Sequence, residues 1–101
     1  MPMIELMAEH QRISILISLS DSPDYGLNSS ILGDILDKYS IGCSRDQLHT
    51  QLDWLEQNGY ITVNRMTKST WVADITQAGL DVAKGRVVAH GIKRPGPRSQ
   101  Q

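Results

Sequence analysis

The stretch SRDQLHTQLDWLEQNGY, from Ser44 to Tyr60, constrains this chain more than any other. Leu48, Leu52 and Leu55 recur at i, i+4 and i+7 and line one face of a helix. Ser44 is a good N-cap, because its hydroxyl can accept from a free backbone N–H of the first turn, an arrangement worth about 1 kcal/mol. Gly59 supplies the left-handed residue that ends helices. Directly after it, Tyr60, Ile61, Thr62, Val63 and Asn64 alternate as a strand does. A helix that ends on a glycine and passes straight into a hairpin leaves few ways to arrange the remainder.

The remainder supplies packing for that stripe. Residues from Met3 to about Leu19 predict a first helix, with Leu6, Ile13, Leu16 and Ile17 near one face and Glu5, Glu9, Gln11 and Arg12 in water. The cluster Asp21 to Gly26 predicts a turn, and Asn28 or Ser29 caps a second helix that runs to about Tyr39. The short link Ile41-Gly42-Cys43 has the length found between the two helices of a helix-turn-helix. A hairpin follows, from Tyr60 to about Met66 and from Trp71 to Ile75, with Ile61 and Val63 paired inward against Ala73 and Ile75. Thr76 caps a last helix in which Leu80, Ala83 and Val87 share a face, and Gly85 stops or frays it. The expected fold class is mainly α with a small β-hairpin (α+β). It is a winged helix-turn-helix of order α-α-α-β-β-α, with a domain over residues 1–88 and a flexible basic tail over 89–101.

Composition narrows the function classes. The 101 residues have room for one domain, and two Trp, three Tyr and no Phe imply an aliphatic core with no platform for stacking bases. The single cysteine, Cys43, excludes an internal disulfide and any multi-cysteine zinc cluster, which fits a reducing compartment such as the cytoplasm. No apolar run approaches the roughly 18 residues that span a bilayer, so no membrane role is expected. His10, His49 and His90 lie on three separate segments, and neither a glycine-rich phosphate loop nor a metal-ligand spacing appears. The expectation is no enzyme, no metal and no cofactor. Cys43 reads as a small linker residue. Charge is lopsided: residues 1–83 hold five basic side chains against eleven acidic ones, net −6, whereas residues 84–101 hold five basic and none acidic, net +5.

WLEQNGYI (Trp54 to Ile61), the short hairpin and ITQAG (Ile75 to Gly79) resemble the winged-helix regulators of the ArsR, MarR and PadR kind. The whole chain resembles more closely a family of small proteins of Mu-like phages and prophages, through AEHQRISIL, SPDYGLN, CSRD, DWLEQNGYITV, TQAGLDVAKGR and GIKRPGPR. That resemblance implies a gene in a phage morphogenesis region and a role beside DNA packaging or late gene control. Metal-sensing ArsR proteins carry paired cysteines, which this chain lacks.

The first functional expectation is double-stranded DNA binding in a regulatory or packaging-accessory role. Arg45, Gln47, His49 and Gln51 would make base contacts, while Arg65 and Lys68 at the wing and Lys93, Arg94 and Arg98 in the tail would meet phosphates. The helix itself is poor for this purpose, with one Arg against Asp46, Asp53 and Glu56 between Ser44 and Asn58. The alternative is therefore a protein-interaction winged helix in phage morphogenesis, without direct DNA binding, whose acidic helix face takes a basic phage protein. The tail then solubilises or docks on an acidic body, its own or a partner's. Leu80, Val87 and Val88 are candidate contacts of a homodimer.

Overall fold

A computed structural model of the protein describes residues 2–95. Its elements, in chain order, are α1 (Met3–Asp21), β1 (Gly26–Asn28), α2 (Ser29–Lys38), α3 (Arg45–Gln57), β2 (Ile61–Arg65), β3 (Trp71–Ile75) and α4 (Gln77–Ala83). This is a small α+β fold of four helices and one three-stranded antiparallel sheet in the order β1-β3-β2.

At the starts of α2, α3 and α4 the N-cap side chain satisfies a free amide locally. Asn28 accepts from the Ile31 N–H at 2.9 Å, and Thr76 accepts from the Gly79 N–H at 3.1 Å. At Ser44 the arrangement is reciprocal: its hydroxyl accepts from the Gln47 N–H at 3.1 Å, while the Gln47 side chain accepts from the Ser44 N–H at 2.9 Å. Gly59, at φ +82°, ends α3 as the sequence predicts. Gly79 is required by space. A Cβ there would lie 2.2 Å from the Tyr60 carbonyl oxygen, so only glycine lets α4 meet the start of the hairpin.

The hairpin register matches expectation, with Ile61 opposite Ile75 and Val63 opposite Ala73. Ile61 and Ala73 are buried, while Thr62, Asn64 and Asp74 face water. Leu48, Leu52 and Leu55 of α3 join Ile15, Leu16 and Leu19 of α1, Leu32 and Leu36 of α2, and Val82 and Ala83 of α4 in one core. Each such leucine contributes about 1.5–3 kcal/mol by leaving water.

Four features differ from the sequence reading. A third strand, β1, lies between the turn cluster and α2 and pairs Leu27 with Ala73; three residues are too few to show alternation. Gln11, expected in water, is buried and donates to the Ile41 carbonyl at 3.0 Å, closing the α2–α3 link onto α1. α4 stops at Ala83, so Val87 shares no helix face with Leu80. The chain also stays on the body beyond residue 88. Ala89 and Ile92 are 8% and 6% exposed, and the Lys93 N–H donates to the Glu9 carbonyl at 3.3 Å. The boundary expected at residue 88 therefore falls inside a packed segment, because Ile92 finds an apolar berth that composition alone does not reveal.

Candidate functional site

The candidate surface is α3 with the hairpin beside it, because four proposed base contacts lie on α3 and Arg65 and Lys68 lie on the hairpin. Placing the leucines inward sends Asp46, Thr50, Asp53 and Gln57 most directly outward. Four of the six proposed contact residues on this surface, Gln47, His49, Gln51 and Arg65, make contacts within the chain.

Gln47 serves the capping box of α3. Gln51 is buried, and its Oε1 accepts from Arg12 Nε at 2.7 Å. It cannot reach a base without abandoning a charged donor. His49 lies flat against Trp71 of β3, with ring centroids 3.8 Å apart and planes 3° from parallel. Its Nε2 is buried and has no hydrogen-bond partner among the described residues. Burial pushes the imidazole below its usual pKa; Asp46 and Asp53 pull it up, while Arg45 and Arg65 push it down.

Arg65 is held by α3. Its Nη2 donates to Asp53 Oδ1 at 2.5 Å and Glu56 Oε1 at 2.8 Å, and its guanidinium carbon lies 4.5 Å from the Trp71 ring centroid. The second oxygen of Glu56 accepts from the Val63 N–H at 3.1 Å, so this carboxylate also pins β2 to α3. The hydrogen bond from Arg65 holds the Glu56 carboxyl below its usual pKa. Arg45 and Lys68 remain exposed. Arg45 lines an open cleft of about 210 Å³ between α2 and α3, where Asp34 and Asp37 also stand. Cys43 borders this cleft, and burial followed by the Asp37 charge pushes its thiol above the usual pKa, away from nucleophilic use.

Lys93 and Arg94 are exposed on the packed C-terminal segment, whereas Arg98 lies outside the described residues. Leu80 is half-buried on α4, and Val87 and Val88 are exposed beyond it. Trp54 is half-buried at the edge of the core, with the Arg12 guanidinium 4.0 Å from its ring centroid.

Arg12 is the residue that sequence reasoning misplaces most. Besides Gln51 and Trp54, it donates through Nη1 to the Gly91 carbonyl at 2.8 Å, joining α1, α3 and the C-terminal segment. Burial pushes its guanidinium below the usual pKa, against the opposing pull of Glu9 and Glu5. The only sequence signal is a lone Arg among apolar residues of α1. Among the described residues, no helix is long and apolar enough to cross a membrane, and no group of three His, Cys, Asp or Glu residues is placed to hold a metal ion.

No family model matches the chain, and no solved structure matches it. The chain is similar to the uncharacterized protein gp26 of Escherichia phage Mu, with 40% identity over 95 residues that cover 94% of this chain and 97% of that one. It is also similar to an uncharacterized protein of Haemophilus influenzae, with 37% identity over 95 residues that cover 94% of this chain and 92% of that one. Likeness over nearly the full length of both relatives establishes kinship: the chain belongs to a family of small Mu-like phage proteins that includes gp26 of phage Mu.

Proposed function

We propose that this protein is a winged-helix interaction module of phage morphogenesis, in which the acidic outer face of α3 takes a basic protein partner and does not read DNA bases. The element order and the β2–β3 hairpin beside α3 support the winged-helix part of the reading. One observation carries the functional part. Gln47, His49, Gln51 and Arg65, four of the residues that would make α3 and the wing a DNA reader, are occupied inside the chain. Freeing Gln51 would take a buried acceptor from Arg12, a cost that base contacts of about 1–3 kcal/mol each would first have to offset, whereas freeing Arg65 breaks an exposed pairing worth little.

What α3 leaves outward is Asp46, Thr50 and Gln57, with Asp34 and Asp37 across the neighbouring cleft and Arg45 as the nearby cation. The Thr50 hydroxyl is itself turned back onto the Asp46 carbonyl at 3.0 Å. Such a surface repels phosphates and attracts Lys and Arg side chains.

Fluorescence anisotropy with a labelled Arg/Lys-rich peptide and a labelled duplex tests this. The peptide is expected to bind in a salt-dependent manner and to be lost when Asp46→Lys and Gln57→Lys are combined. Duplex binding should not change in an Arg45→Ala, Thr50→Ala variant. A tenfold or larger loss of duplex affinity in that variant would overturn the reading, as would a peptide that ignores the charge reversal.

A further inference from the structure

The C-terminal segment offers a second surface, one that the α3 reading does not use. Gly85, at φ +77°, turns the chain after α4, and Gly91, at φ +86°, turns it again. The two turns bring residues 93–95 back beside residues 84–86: a Cβ on Gly85 would stand 3.5 Å from the Pro95 ring. Gly91 has its own steric reason, since a Cβ there would lie 2.8 Å from the Trp54 ring.

The anchors of this segment are apolar or backbone groups. Ala89 and Ile92 are buried, Arg12 holds the Gly91 carbonyl, and the Lys93 N–H meets the Glu9 carbonyl. The side-chain charges are therefore left for other uses. Lys84, Lys93 and Arg94 are exposed and have no ion-pair partner among the described residues. Arg86 meets Asp81 at 3.1 Å, yet its side chain stays 61% exposed. Glu5 and Glu9 are the other carboxylates nearby, and both also act on Arg12.

We propose that residues 84–86 and 93–95 form a prebuilt cationic site for the sugar-phosphate backbone of nucleic acid, used without base reading. The four cations are spread over two adjoining segments, so a single small phosphate would meet one or two of them. A polymer with repeated charge meets several at once and releases its own counterions in doing so. Neither segment carries an aromatic side chain on which a base could stack, which makes the contact one of charge alone. Because the segment is already ordered, binding avoids the ordering cost that a free basic tail would carry.

The full chain is titrated into a labelled duplex of mixed sequence at about 50 and 200 mM salt. Three to four phosphate contacts give a log–log salt slope of roughly −2.7 to −3.6, hence about 40- to 150-fold weaker binding across that rise. Substituting Lys84, Lys93 and Arg94 together with Ser should abolish binding at 200 mM and flatten the slope by roughly 2.7, while Lys38→Ser should change neither. A second duplex of unrelated sequence should bind equally well. Absence of binding at 50 mM, an undiminished triple variant, or tighter binding to anionic phospholipid vesicles than to duplex would each overturn the proposal. These outcomes leave the peptide result at α3 untouched, so the two readings stand or fall separately.

Discussion

Replacing Arg12 with Met removes one guanidinium that serves three elements, and the structure sets the size of the loss. Two charge-assisted hydrogen bonds disappear, to Gln51 at 2.7 Å and to the Gly91 carbonyl at 2.8 Å. Each such bond is worth about 1.5–3 kcal/mol, and the stacking on Trp54 adds roughly 1 kcal/mol. Met keeps the apolar stem, and water can reach the half-exposed Gly91 carbonyl, so the full sum is not expected. Gln51 has no such relief, because it is buried against α1. A net loss of about 2–4 kcal/mol follows, a large share of the 5–15 kcal/mol typical of a domain, and Tm falls by roughly 10–30 °C. Urea denaturation followed by far-UV circular dichroism measures the global part. Hydrogen exchange at the Lys93 amide measures release of the C-terminal segment alone. Arg12→Lys should fall between Met and wild type, since an ammonium cannot fork to both acceptors. A loss below about 0.5 kcal/mol with unchanged Lys93 exchange would refute the claim that this residue ties the three parts together.

Four other expectations follow from local geometry. Gly79→Ala drives a Cβ into the Tyr60 carbonyl oxygen and should cost about 3 kcal/mol in urea denaturation, whereas the same change at an exposed helical site would stabilise by roughly 0.5–1 kcal/mol. Ser44→Ala breaks the reciprocal cap and should cost about 1 kcal/mol, with no change in hairpin amide shifts. His49 is held neutral in the fold, so the unfolded chain takes up the extra proton: its contribution is complete above about pH 6.5 and is lost as pH falls from there toward its lowered folded value. His49→Phe keeps the stack, removes the unpaired Nε2, and should flatten that window at no cost at pH 7. Glu56 acts lower, its contribution present above the usual carboxylate pKa and lost as pH falls through its depressed folded value.

What the sequence reveals here is what neighbours along the chain decide. The leucine stripe of α3, the caps at Ser44 and Thr76, the stop at Gly59 and the pairing of Ile61 with Ile75 all rest on contacts within one or two elements. Gln51 shows where that reasoning ends. By helical angle it stands beside the stripe and looks like a polar flank residue, yet Arg12, thirty-nine positions earlier, draws it into the core. Gln11 behaves alike, because its partner is the backbone of a link thirty positions away. Ile92 is a single apolar residue in a basic, glycine- and proline-rich stretch, too little for any periodic signal, and its packing into the common core decides its fate. Gln47 and Gln51, both expected as base contacts, differ in this respect: the partner of Gln47 is Ser44, three positions away, whereas only the fold names the partner of Gln51.

The most direct test of the account is amide chemical-shift mapping of the isotopically labelled full chain at low salt, with duplex DNA in one titration and an Arg/Lys-rich peptide in the other. Asp46, Thr50 and Gln57 are expected to shift with the peptide and to stay still with the duplex, while the His49 and Gln51 amides move with neither. Duplex-induced shifts running along α3, with the Arg12–Gln51 contact broken, would contradict it.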